Sequence, residues 1–392
     1  MEERTRAYLR GRFGDHYRRT DPTPPPDANE REWGYIPWTE GPGETMVRHR
    51  SLLDLGELSD FLGRERPRHV YFSAGRYADP GASTMRDKSW RSSDLIFDLD
   101  ADHLPSVDPA KTSYADMLAA CKDALLKLLD FLENDFGFED LTVVFSGGRG
   151  YHVHVRDENV QHLESDARRE IVDYVRGIGL EFDHLVDDET VGGEAGRKSP
   201  ATNRVLPREG GWGARIHERV LELAREIREM DEDDAIDRLS EYEGIGEGKA
   251  RAMWNISRDR FAEIERGNVS AHTAFEQVAS QFVSVTVAEQ NAPIDEPVTT
   301  DTNRLIRLPG SIHGGSGLAV RRLDRDEIEA FDPLTDAVPE TFVGHQISVE
   351  LPEEWTGELR GDSFTLEAGD HSVPEYLGVF LMARGDAEKG PE

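Results

Sequence analysis

The chain carries one cysteine, Cys121, in 392 residues. That count excludes a disulfide framework and a four-cysteine zinc site. Lysine is nearly missing: only 7 of the 46 basic residues are Lys. No run of 18 apolar residues occurs, so no segment reads as a membrane-spanning helix. The opening stretch, MEERTRAYLRGRFGDHYRR, is charged and lacks the apolar centre of a secretory signal. The expected compartment is cytoplasmic, with no membrane partner.

Negative charge is abundant. Asp and Glu number 78, and the net charge is −32. Taken alone this opposes a nucleic-acid partner, because phosphate is repelled. A carboxylate-rich, lysine-poor surface also suits molar intracellular salt, where the Debye length is about 3 Å and long-range repulsion vanishes. The acidity is therefore read as halophilic adaptation and not as information about partners. A hydrophobic content of 37% still supports a core, and the length suggests two or three domains or one domain with an insertion.

Asp94-Leu95-Ile96-Phe97-Asp98-Leu99-Asp100 has the alternation of a strand. Leu95, Phe97 and Leu99 share one face; Ile96, Asp98 and Asp100 share the other. The carboxylates of Asp98 and Asp100 are then neighbours, with Cα atoms roughly 6–7 Å apart. Like charges that close repel unless a cation lies between them. The pair is expected to hold divalent metal, against the plainer alternative of a strand end running into an acidic loop.

Along the chain, residues 1–30 read as a helix and a proline-rich turn, and 31–51 as two strands joined at Gly41-Pro42-Gly43. Leu52 to Leu62 reads as a short helix, Val70–Ser73 as a strand and 76–93 as an irregular loop. Ser113–Glu133 is an amphipathic helix with Cys121 on its buried face. Leu141–Phe145 and Tyr151–Val155 are strands around Ser146-Gly147-Gly148-Arg149-Gly150. That turn lets Ser146, Arg149 and His152 converge on an anion; a plain glycine hairpin is the alternative. Leu163–Ile178 reads as a helix and 190–213 as a loop. Residues 214–282 read as a charged helical insertion containing a Gly244–Gly248 hairpin between helices. Val283-Ser284-Val285-Thr286-Val287 alternates like a strand. Arg304, Arg307, Arg321, Arg322 and Arg325 fall within 22 positions of an acidic chain, which suggests a polyanionic ligand. Val373–Arg384 reads as an apolar helix that packs on the core or docks a partner, and the last eight residues as disordered.

An acidic strand, a Ser-Gly-Gly-Arg-Gly-x-His hairpin and a later Asp…Arg…Ser-x-His segment are the parts needed for nucleotidyl transfer. Together they resemble the small catalytic subunit of archaeal/eukaryotic-type DNA primases, in a halophile's version, over nearly the whole chain. The resemblance implies an α/β core, an α+β mixed sheet with a helical insertion. The expected layout is a core over 1–213 and 283–350, an insertion over 214–282 and a tail over 351–392. It implies metal ligands Asp98 and Asp100, plus a third aspartate 18 residues before the Ser-x-His histidine. This is Asp295, since His313 is that histidine; the residues alone leave Asp295 and Asp301 both open. Nucleotide contacts are implied at Arg48, Ser146, Arg149, His152, Arg307 and His313. Gly148 departs from the pattern, standing where many members have a second basic residue. Many members also have a zinc knuckle near 102–122, where this chain offers only His103 and Cys121, so structural zinc is expected to be absent.

The implied activity is template-directed synthesis of short RNA, and often DNA, primers from NTPs or dNTPs on single-stranded DNA. It would use two Mg²⁺ or Mn²⁺ ions and a large primase subunit as heterodimer partner, at the nucleoid. Rival readings are a repair or translesion polymerase of the same superfamily, a metal-dependent phosphodiesterase or nuclease, and a non-catalytic nucleic-acid-binding module.

Overall fold

The computed structural model describes residues 1–39, 45–191 and 201–391. The Gly41-Pro42-Gly43 turn, Gly192, Gly193, Gly196, Arg197 and Lys198 lie outside them. The chain forms two compact units. The first comprises Met1–Leu125, Glu139–Val172 and Pro293–Glu392; the second comprises Leu126–Phe138 and Asp173–Ala292.

In chain order the strands begin with β1 (Arg31–Ile36), β2 (Val47–Arg50), β3 (His69–Tyr77), β4 (Trp90–Ser93) and β5 (Leu95–Asp100). Next come β6 (Leu141–Phe145) and β7 (Gly150–Val155), then β8 (Asp187–Val191) and β9 (Ala201–Val205). The series ends with β10 (Leu305–Arg307), β11 (Arg321–Leu323), β12 (Gln346–Leu351), β13 (Trp355–Leu359), β14 (Asp362–Leu366), β15 (Gly369–Pro374) and β16 (Glu388–Lys389).

In the first unit, one sheet runs β10-β3-β1-β2, with β4 also on β3; a second runs β11-β6-β7-β5. The β5 alternation drives this arrangement. Leu95, Phe97 and Leu99 are fully buried, while Asp98 and Asp100 stay half-exposed. Burying each large apolar side chain contributes about 1.5–3 kcal/mol. The opposite face of β5 meets the first sheet: Ala74, Ile96, Val298 and Ile306 form one dry cluster. The Phe72 ring stacks on His154, with centroids 6.0 Å apart.

Two buried charge centres brace this unit, the first of them between the sheets. Asp94 is fully buried and accepts from Arg31 (3.0 Å), Arg76 (2.7 Å) and Arg156 (3.0 Å). Arg168 donates to the carbonyls of Asp94 and Ser93 at 2.9 and 3.0 Å. Burial alone would raise the Asp94 carboxyl, but His154 and the three guanidiniums hold it well below the usual range. Glu32, also fully buried, binds Lys88, Arg48 (3.1 Å) and the His49 N–H (3.0 Å). These pairings explain why 76–93 is not a loop. Its charges are neutralised internally, so β3 runs on to Tyr77, Met85–Lys88 is helical and β4 follows.

Other expectations are also corrected. The 52–62 helix is two, Leu52–Leu55 and Leu58–Glu65, broken at Gly56, whose φ is +78°. The helix placed at 163–178 spans Ser165–Arg176. Within 190–213, β8 pairs with β9. Val283–Val287 lies in the helix Thr273–Gln290, not in a strand. Phe275, Val278, Ala279, Phe282, Val283 and Thr286 are buried there at helical spacing, and Val285 is exposed. Propensity for strand yields to that longer apolar stripe.

The second unit packs this helix with Gly211–Glu229, Glu232–Ser240 and Glu247–Asp259. It begins well before residue 214. Phe131 and Trp212 rings lie 5.0 Å apart, and Arg215 pairs with Asp130 (2.5 Å) and Asp135 (2.7 Å), drawing 126–138 into the helical unit.

The tail is folded too. β12 starts at 346, inside the span assigned to the core, and pairs with β15 and β16. Glu388 and Lys389 are thereby held in a sheet, against the expected disorder. Leu377, Val379, Phe380, Leu381 and Met382 of the helix Glu375–Arg384 are buried within the chain. That helix is core packing and offers no apolar docking face.

Candidate active site

The antiparallel β5–β7 register fixes the centre of the site. Asp98 stands opposite His152, and Asp100 opposite Gly150. His152 Nε2 lies 3.3 Å from Asp98 Oδ1. Position 150 must be glycine, because a Cβ there would come within 1.9 Å of the Leu99 carbonyl oxygen. Asp100 Oδ1 accepts the Asp102 N–H at 3.1 Å, starting the short helix Ala101–His103.

Asp295 arrives from far along the sequence. Its N–H donates to the Asp98 carbonyl at 2.9 Å, and the helical turn Glu296–Thr300 starts there. Asp301 lines the same cleft as Asp98, and its carboxylate accepts the Asn303 N–H at 2.8 Å. The backbone of one acid and the side chain of the other thus adjoin Asp98. Among the described residues, no three His, Cys, Asp or Glu side chains are grouped closely enough to hold a metal ion.

The cleft encloses about 370 Å³. Asp98, His152, Arg48, Arg304 and Arg307 line it, with Tyr71. Arg48 is steadied by Glu32 and Arg307 lies over the Tyr71 ring at 5.6 Å. Arg307 Nε has no hydrogen-bond partner among the described residues. Burial would raise the Asp98 carboxyl, but His152, Arg304 and Arg307 hold it below the usual range.

Of the hairpin residues His152 alone is in the cleft wall; Ser146 and Arg149, like His313, are not among its lining residues. Ser146 Oγ accepts the Gly148 N–H at 3.3 Å. Arg149 pairs with Asp102. Gly147, at φ +76°, leaves room for His313, whose Cβ would lie 2.7 Å from a Cβ there. His313 Nδ1 accepts the Gly315 N–H at 3.2 Å, leaving Nε2 as the donor facing Gly148. Burial and the neighbouring Arg307, His69, Arg68 and Arg149 push the His313 pKa well below its ordinary value, so the ring is neutral.

Sequence reasoning missed Tyr71 and gave no role to Asn303. Both lie in segments whose pattern reports only a strand or a turn. Asp94, just before the same strand, is fully enclosed, which nothing in the sequence around it signals.

The family model described as the DNA primase small subunit matches residues 97–325. The chain is 70% identical to the DNA primase small subunit PriS of Haloarcula marismortui, 63% to that of Halobacterium salinarum and 37% to that of Methanosarcina acetivorans. All of this chain is covered each time, with 100%, 100% and 98% of the relatives' length. The chain belongs to the DNA primase small-subunit family. It is therefore a primase catalytic subunit, a nucleotidyltransferase that makes RNA primers in DNA replication. Membership implies divalent-metal dependence in general, a DNA template and a large partner subunit. No helix among the described residues is long and apolar enough to cross a membrane.

Proposed function

We propose that Asp98, Asp100 and Asp295 hold the catalytic divalent ions, and that Arg48, Ser146, Arg149, His152, Arg307 and His313 receive the incoming nucleoside triphosphate. The observation that carries this is the hydrogen bond from Asp295 N–H to the Asp98 carbonyl. It ties the third aspartate to a strand almost 200 residues earlier. Carboxylate oxygens suit Mg²⁺ or Mn²⁺, and mutual repulsion keeps the three from closing together without a cation. Two bound ions would lower the pKa of a primer 3′-hydroxyl and neutralise the leaving pyrophosphate.

The protein's own side chains do the positioning. Arg307 and Arg48 meet anionic oxygens from the cleft wall. His313, neutral, offers one N–H beside the hairpin. His152 fixes the Asp98 carboxylate. Arg149 reaches phosphate by leaving Asp102, and neighbouring arginines offset the missing cation at Gly148. Structural zinc has no place in this reading: Cys121 Sγ lies 3.5 Å from the Leu99 carbonyl, deep in the core. Single-stranded DNA is the template, NTPs or dNTPs the substrates, and a large primase subunit the heterodimer partner, at the nucleoid.

The test is primer synthesis in molar KCl with Mn²⁺ or Mg²⁺, nucleotides and single-stranded DNA. Asp98→Ala and Asp295→Ala abolish it; Asp301→Ala retains it. Loss in Asp301→Ala with activity kept in Asp295→Ala overturns the choice of third ligand.

A further inference from the structure

A second cavity in the first unit shares no lining residue with the Asp98 cleft. It encloses about 720 Å³, within the range of small-molecule sites. Phe72, Val144 and His154 form part of its wall, and the run Pro24-Pro25-Pro26 closes over it. This covering segment is anchored on both sides. His16 Nε2 meets the Gly310 carbonyl at 3.1 Å, and Arg31 Nε donates to the Pro26 carbonyl at 2.8 Å. Arg31 is itself locked to Asp94. Three consecutive prolines have little backbone freedom, so the cavity is a standing shape.

Its charges are unusual for this chain. Arg19 and Arg322 line it with no ion-pair partner among the described residues, and Arg322 stands across from Val144 on the sheet face that carries His154. Of the three acids nearby, Glu340 is neutralised by Arg360 at 2.7 Å. Asp21 and Asp336 keep their charge, and Asp336 is held by the Asp332 N–H at 2.7 Å. His154 also lines the cavity. It is 1% exposed, and neither ring nitrogen has a hydrogen-bond partner; the nearest acid, Asp94, is 3.9 Å away. A buried polar ring without a partner costs on the order of 1–3 kcal/mol. Burial is the main cause that lowers its pKa to about 4. At neutral pH it therefore presents one donor and one acceptor.

Cations at the rim, apolar walls and an unpartnered imidazole inside match the three parts of a nucleotide: phosphate, ring and ring heteroatoms. We propose that this cavity binds a nucleotide without a divalent cation, its phosphates on Arg19 and Arg322 and its base toward Phe72 and His154. The site is separate from the Asp98 cleft and does not depend on the assignment of the metal ligands. The two sites share a strand, because β7 gives His152 to one and His154 to the other.

Calorimetric titration of the full chain with ATP, in molar KCl containing EDTA, tests this. The wild type binds one ATP, and inorganic triphosphate competes for it. Arg19→Ala/Arg322→Ala weakens binding at least tenfold, and His154→Phe weakens it while leaving triphosphate binding in place. Both arginines are exposed, so circular dichroism of the double variant stays native. Arg307→Ala leaves EDTA-resistant binding intact. Absence of such binding in the wild type, or its loss in Arg307→Ala with retention in the double variant, overturns the proposal.

Discussion

Asp94 and Asp98 are four residues apart and do opposite things. Asp94 is enclosed by guanidiniums that consume its charge, while Asp98 keeps an open side toward a cleft. Asp94→Asn would leave buried arginines uncompensated, and removing one partner of such a group costs about 3–5 kcal/mol. Urea denaturation should register that loss. The sign with pH follows from the lowered carboxyl. Its contribution is complete above the unfolded-state value of about 3.9 and disappears as pH falls toward the folded value. Wild-type stability should therefore decline in acid more steeply than that of Asp94→Asn. Gly150→Ala is a second residue-scale test. Its Cβ would strike the Leu99 carbonyl, so β5 and β7 must part, at a cost of at least the ~1–3 kcal/mol usual for overpacking. Primer synthesis should fall with it.

At the scale of elements, the hydrophobic pattern revealed most where it was long. The helix carrying Cys121 and the β6–β7 hairpin are read correctly because each repeats its period without interruption. The segment 76–93 hid its strand behind charges that find partners inside the fold, and no local pattern reports an ion pair with Glu32 or Asp94. Val283–Val287 misled for another reason. Five residues cannot separate a period of two from a longer helical stripe. A pair of substitutions distinguishes them. In a strand, Val283 and Val285 would share a face. In the observed helix Val283 is 9% exposed and Val285 43%. Val283→Ala should cost on the order of 1–2 kcal/mol through the cavity it leaves. Val285→Ala should be near neutral or slightly stabilising, because Ala favours helix. The site was legible to the same extent: aspartates and hairpin donors were visible as residue types, whereas the split between cleft wall and hairpin flank depends on register.

For the whole molecule, the net charge of −32 opposes the compact state through self-repulsion. Thermal midpoints should rise with KCl up to molar concentration and fall by many degrees near 0.1 M, where the Debye length of about 10 Å restores repulsion. The C-terminal strand makes a separate prediction. Lys389 N–H donates to Thr5 Oγ1 at 2.8 Å, and β16 closes the edge of β12. Deleting residues 386–392 should therefore destabilise the first unit measurably in a melting experiment, where a disordered tail would leave it unchanged.

Asp295 meeting the Asp98 carbonyl also sets an order of events during synthesis. A ribosome that has released the chain through Ala292 has delivered the whole helical unit and β1 to β9, yet only part of the site. β10, which must insert beside β3 more than 200 residues back, has not appeared. Such distant pairings close slowly, because loop entropy is lost before contacts return it. With the proposed ligands, catalytic competence is acquired late in translation, and an interrupted product ending near residue 292 would be folded in one half and inert.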